Sequence, residues 1–147
     1  ALMLAHLLHD FLEVHDLGEV SGPDGPMEIL AHQVRIPDVA FLRWESFPGG
    51  KSPREPIPAV APDLAVEVLS KGNTEAEMTR KLDEYFRAGV RLVWYIDPET
   101  RAARVYTAPD QCVVVDPSQS LDGGDVLPGF HLPLADLFAK AERHGRG

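Results

Sequence analysis

Cysteine is almost missing from this 147-residue chain, and the single one, Cys112, has no partner for an internal disulfide. Such a chain suits a reducing compartment, so a cytoplasmic location is expected. Basic charge is also scarce: 14 Lys and Arg stand against 23 Asp and Glu, for a formal net charge of −9 and a pI near 5.0. Nonspecific affinity for nucleic acid comes from neutralising phosphates, so this balance excludes a basic coat protein. Long apolar runs are lacking too. The opening Ala1-Leu2-Met3-Leu4-Ala5 is interrupted by His6, His9, Asp10 and Glu13 well short of the ~18 residues a membrane span needs, and no basic segment precedes it. No membrane partner is expected. Also missing are a zinc-type Cys and His spacing, a phosphate-cradling Gly loop, and a basic run interleaved with aromatics.

What is there is ordinary in bulk, 44% hydrophobic and 25% charged residues, as in soluble globular domains. At ~150 residues per domain the length predicts one domain over residues 1–147. No Met stands at its start, and it is read as truncated at the N-terminus.

Leu4, Leu7, Leu8, Phe11 and Leu12 recur at three- and four-residue spacing and predict a helix from Ala1 to about His15, ended by Gly18. Gly22-Pro23-Asp24-Gly25-Pro26 predicts a turn joining strands near Glu19-Val20 and Met27 to Leu30 into a hairpin. A strand is expected over Asp38 to Leu42, followed by a Pro- and Gly-rich stretch, Phe47 to Pro62, that reads as a surface loop or lid. Asp63 to Leu69 is an apolar run broken only by Glu67, the pattern of a strand buried on both faces. Thr74 and Glu77 then form a capping box, and Met78, Leu82, Tyr85 and Phe86 trace one face of a helix that Gly89 terminates. Strands follow over Arg91 to Asp97, Ala102 to Thr107 and Cys112 to Val115, and a short helix over Leu134 to Lys140.

Glu67 is the anomaly. A buried ionised carboxylate costs several kcal/mol unless it is paired or binds a metal, and its strand neighbours on the same face, Ala65 and Leu69, carry no charge. A partner must come from another element. Asp38 begins the preceding apolar strand, and Lys81 lies about 60° from Met78 and about 40° from Tyr85 on the helix, at the border of the buried stripe. Arg80 points roughly the opposite way. Two carboxylates from adjacent strands plus a lysine from the packed helix can bind a hard divalent cation and place an ammonium beside an attacking water. The same pattern also suits an ion pair that merely satisfies its own members.

Pro37-Asp38-Val39-Ala40-Phe41, Ala61-Pro62-Asp63-Leu64-Ala65-Val66-Glu67-Val68-Leu69-Ser70, Lys81-x-x-x-Tyr85 with Ala88-Gly89-Val90, and Val93-Trp94-Tyr95-Ile96-Asp97-Pro98 stand in an order that resembles the Uma family of restriction-endonuclease-like proteins. Leu127-Pro128-Gly129-Phe130 before Leu132-Pro133-Leu134 fits as well, so the resemblance covers roughly Val34 to Phe138. It implies the PD-(D/E)XK nuclease fold, an α/β (α+β mixed) architecture with a mixed central sheet flanked by helices. It further implies Mg²⁺ (or Mn²⁺) held by Asp38, Glu67 and the backbone carbonyl of Val68, with Lys81 assisting the water. Leu69 stands where the superfamily's usual lysine belongs. Lys81 on the following helix is the replacement in this reading, and Lys71 is the rival. Nothing in Ala1 to Asp10 matches the Glu-Leu-Ile-Asp-Gly-like segment that such proteins carry first.

The other candidates have plainer readings. Asp63, ~13 Å along the strand from Glu67, reads as a residue of the strand start. Ser70 lacks a placed His and reads as a cap or a phosphate contact. His6 and His9 read as surface residues, Cys112 as core, Asp97 as a turn residue, and Tyr85 as core with its hydroxyl at the site rim. Trp94 and Tyr95 face opposite sides of their strand, so one is expected to be exposed and to support a homodimer. Two functions follow: a Mg²⁺-dependent nuclease acting on phosphodiester bonds in DNA, or a noncatalytic nuclease-fold module whose acidic surface meets a protein partner.

Overall fold

The computed structural model describes residues 1–143. Helix α1 (Leu2–Val14) leads into β1 (Gly18–Ser21), β2 (Met27–Leu30), β3 (Gln33–Arg35) and β4 (Val39–Arg43). After the Pro-rich loop come β5 (Leu64–Val68), α2 (Glu75–Arg87), β6 (Leu92–Asp97), β7 (Ala102–Ala108) and β8 (Gln111–Val115). Strands β9 (Ser120–Asp122) and β10 (His131–Pro133) precede α3 (Leu134–Arg143). Six strands form one sheet in the order β1-β4-β5-β6-β7-β8, in which β5 and β6 pair in parallel across α2 and the other neighbours are antiparallel. This is the expected mixed central sheet flanked by helices.

The sheet is covered on both faces, which is why β5 reads as a nearly unbroken apolar run. On one face Leu64, Val66, Trp94 and Ile96 meet Leu4, Leu8 and Leu12 of α1 and Leu134, Leu137 and Phe138 of α3. On the other, Ala65, Val93 and Tyr95 meet Met78, Leu82 and Tyr85 of α2. Helix α2 starts where its capping signal places it, with the Thr74 hydroxyl accepting the Glu77 N–H at 3.1 Å. It stops at Gly89, whose φ of 101° suits a residue without Cβ.

Several expectations fail for reasons of long-range order. The hairpin between β1 and β2 does not form: β1 pairs with β4, and β2 pairs with β3, which the sequence reading missed. Gly18 explains the first choice, because a Cβ there would fall 1.9 Å from the Leu42 carbonyl oxygen. The Phe47 to Pro62 segment is the expected surface loop, but it does not cover Asp38 and Glu67. It leaves β4 and enters β5 at the strand ends away from those residues, and is pinned by buried Phe47 and Val60 and by the Glu28 N–H donating to the Pro58 carbonyl at 2.9 Å. Trp94 and Tyr95 do face opposite sides, but with helices on each side both are buried, so neither supplies an exposed aromatic. Cys112 is exposed rather than core, because β8 is an edge strand.

Replacing Phe41, fully buried on central strand β4, by Ala should cost about 3–5 kcal/mol in urea unfolding, whereas Val113→Thr on the exposed edge strand should change stability by roughly 0.5 kcal/mol or less.

Candidate active site

Register alone brings the two carboxylates together. Val39 lies opposite Val66 and Ala40 opposite Ala65, so one step further Asp38 stands opposite Glu67, on the sheet face that α2 covers. The same row continues to Tyr95 on β6 and Arg104 on β7.

The Asp38 carboxylate is fixed by its Oδ2, which accepts the Val68 N–H at 2.7 Å. Alternate residues of a strand send their backbone groups to opposite neighbours. The Leu69 N–H goes to the Ile96 carbonyl on β6, so both the N–H and the carbonyl of Val68 face the Asp38 side.

Glu67 is only 6% exposed. Its Oε1 accepts the Tyr85 hydroxyl at 2.7 Å, and the Lys81 ammonium lies 3.4 Å from the same oxygen. Both donors come from α2, four residues apart and therefore on one helix face. Burial raises the Glu67 carboxyl above its ordinary value near 4.5; the Tyr85 hydrogen bond and the Lys81 charge oppose that rise, and the Asp38 charge adds to it. Burial first, and then the Glu67 charge, push the Tyr85 hydroxyl far above the usual range, so it remains a donor. Among the described residues no donor reaches Glu67 Oε2 or Asp38 Oδ1, and Glu67 Oε2 is not sealed from solvent.

The angular argument is thus matched by position: Lys81 reaches Glu67, Arg80 is exposed, and Lys71 makes no ion pair among the described residues. Lys71 instead lines a separate cleft of about 540 Å³ with Ser70, Asn73 and Arg104. Ser70 donates to Asn73 Oδ1 within its turn, and Asp97 Oδ1 accepts the Glu99 N–H, both turn roles. Asp63 sits at the far end of β5, where its carboxylate accepts the Arg43 N–H and the Ser46 hydroxyl. His6 and His9 are exposed and face Asp10 and Glu13 one turn on.

Two features escaped sequence reasoning. Tyr85 bonds Glu67 directly instead of ending at the rim. A second buried carboxylate, Glu84, is held by the Gln33 amide at 2.9 Å and by a two-pronged Arg35 contact, Nε at 2.8 Å together with Nη2. The only signal for it was the polar-apolar alternation Gln33-Val34-Arg35-Ile36.

As a donor set, Asp38, Glu67 and the Val68 carbonyl offer oxygen only, which suits a hard divalent cation. Among the described residues no group of three or more His, Cys, Asp or Glu is placed to hold a metal, so a cation here would rest on two carboxylates, a backbone carbonyl and water. Among the described residues no helix is long and apolar enough to cross a membrane.

A family model described as Uma2, putative restriction endonuclease, matches residues 1–135. Among solved structures, a putative nuclease belonging to DUF820 from Anabaena variabilis superposes with a TM-score of 0.78 at 18% identity, covering 92% of this chain and 76% of that one. At that identity the likeness speaks for the fold. No curated protein matches the chain.

A carboxyl whose folded pKa is raised stabilises the fold while protonated; that contribution is complete below about pH 4.5 and lost as pH rises through the folded value. Glu67→Gln should therefore be more stable than wild type at pH 8, the difference shrinking toward pH 4 in parallel denaturation curves. Tyr85→Phe should lose about 1.5–3 kcal/mol, the worth of a hydrogen bond to a charged group, and should raise the Glu67 carboxyl further.

Proposed function

The chain belongs to the Uma2 family of putative restriction endonucleases, and on that premise we propose that it hydrolyses phosphodiester bonds in DNA with the help of Mg²⁺ (or Mn²⁺). The observation that carries this reading is the facing pair Asp38 and Glu67, each with one oxygen free of protein donors, beside the Lys81 ammonium. In PD-(D/E)XK terms Asp38 is the first acid, Glu67 the second, and Lys81 on α2 replaces the lysine that Leu69 displaces.

Asp38, Glu67 and the Val68 carbonyl would hold the cation, which when bound supplies charge that polarises the phosphate. The protein's own groups do the rest. Lys81, 25% exposed, has donors to spare beyond Glu67; it orients the attacking water and faces the negative charge that develops on the phosphate oxygens. Tyr85 holds Glu67 Oε1 in place, which leaves Oε2 for the cation.

A second reading, a noncatalytic nuclease-fold module that meets a protein partner, draws on the net charge of −9 and on a Glu67 already satisfied by Tyr85 and Lys81. Cleavage assays on supercoiled plasmid and on a single strand separate the two. Wild type with Mg²⁺ or Mn²⁺ should cut; Glu67→Gln should be inactive; Lys81→Met should fall by about 10²–10³, the loss expected for one transition-state donor; and Lys71→Met should stay near wild type. A Glu67→Gln variant that cuts like wild type would sink the nuclease assignment, and a folded wild type that never cuts favours the module.

A further inference from the structure

Strand β3 divides its side chains. Gln33 and Arg35 turn inward to the buried Glu84, while Val34 and Ile36 are left 42% and 55% exposed, with Ile36 only two residues before Asp38. Opposite them, α2 presents Arg80, Lys81 and Glu77, and the two walls enclose a cleft of about 330 Å³. Lys81 belongs both to this cleft and to the Glu67 cluster, so the cleft opens onto the proposed site.

The lining chemistry is specific. Among the described residues Arg80 has no ion pair or hydrogen bond, so its guanidinium is free to take an oxyanion. Of the three cations that line the cleft, Arg35 is paired with Glu84 and Lys81 with Glu67, which leaves Arg80, beside Glu77, as the cation without an acidic partner among the described residues. The aliphatic edge has no phosphate chemistry; it suits the face of a base or a sugar. The volume is near the lower bound of ligand clefts, roughly 300–1,000 Å³, room for one nucleotide and not for a duplex. The wall is also preformed, because the Glu84 clamp ties β3 to α2.

Resting on the nuclease reading, we infer that this cleft seats one unstacked nucleotide next to the scissile phosphate, Arg80 on its phosphate and Val34 and Ile36 against its base and sugar, so that the preferred substrate is single-stranded or locally unpaired DNA. A base that is already unpaired spends nothing on leaving a stack.

The test is fluorescence anisotropy with a single strand of roughly twelve nucleotides and with the matching duplex, in Ca²⁺. Wild type should bind the single strand about tenfold more tightly than the duplex. Arg80→Ala should flatten the slope of log affinity against log salt by about 0.7, one phosphate contact on a single strand. Ile36→Asp should weaken binding roughly tenfold, the scale of one apolar side chain lost from the contact. Both positions are exposed, so folding is not at stake. A duplex preference, no binding by wild type, or variants that bind like wild type each overturn the inference. Cleavage of the same single strand in Mg²⁺, on the same preparations, keeps the two readings apart: binding as described without cleavage of that strand sinks the nuclease reading alone, and cleavage with binding indifferent to Arg80 and Ile36 sinks the cleft alone.

Discussion

A carboxylate in the middle of a buried strand is the constraint on which this structure turns. Glu67 cannot stay ionised among Ala65, Val66 and Leu69 unless the rest of the fold supplies partners, and isolated burial of such a charge costs several kcal/mol. The partners all come from outside β5. Helix α2 delivers a hydroxyl and an ammonium to one oxygen, and β4 places a second carboxylate opposite, leaving an electronegative gap between the two acids. Burial above all raises the Glu67 carboxyl, and the facing Asp38 charge adds a smaller push in the same direction that a cation between the two would relieve. A fold selected for stability alone has simpler residues to put at this position.

Because the partners ride on α2, the rotation and height of that helix matter more than its length. Three polar contacts set them. Thr74 caps the start, the Tyr95 hydroxyl donates to the Met78 carbonyl at 2.7 Å, and Glu84 is gripped by Gln33 and Arg35. Glu84 lies three residues after Lys81 and one before Tyr85, so the grip on it acts within a turn of both Glu67 partners. The β2–β3 ribbon, formally outside the main sheet, thus belongs to the support of the site.

Local signals carried much of this. Thr74, Glu77 and Gly89 bracket α2 closely enough that 100° per residue places Lys81 toward Glu67 and Arg80 away from it, and the apolar run with one acid marks β5. What stayed hidden depends on distant pairing. Gln33 to Arg35 is too short and polar to read as a strand until Glu84 is known to be buried behind it. Strands β9 and β10 are three residues each and exist through each other. The Gly-Pro-rich turn before β2 suggested a hairpin, yet the glycine that decides the pairing, Gly18, lies at the start of β1 against Leu42. Cys112 and the Trp94-Tyr95 pair erred in opposite directions, because β8 is an edge strand while helices cover both faces of β6, and no local pattern states either fact.

The central claim is that Asp38 and Glu67 form one cation site. Isothermal titration of Mn²⁺ into wild type and Asp38→Ala, at neutral pH and moderate salt, addresses it most directly. Saturable single-site binding in wild type that disappears in the variant is the predicted result. Equal binding by both proteins, or none by the folded wild type, would contradict it.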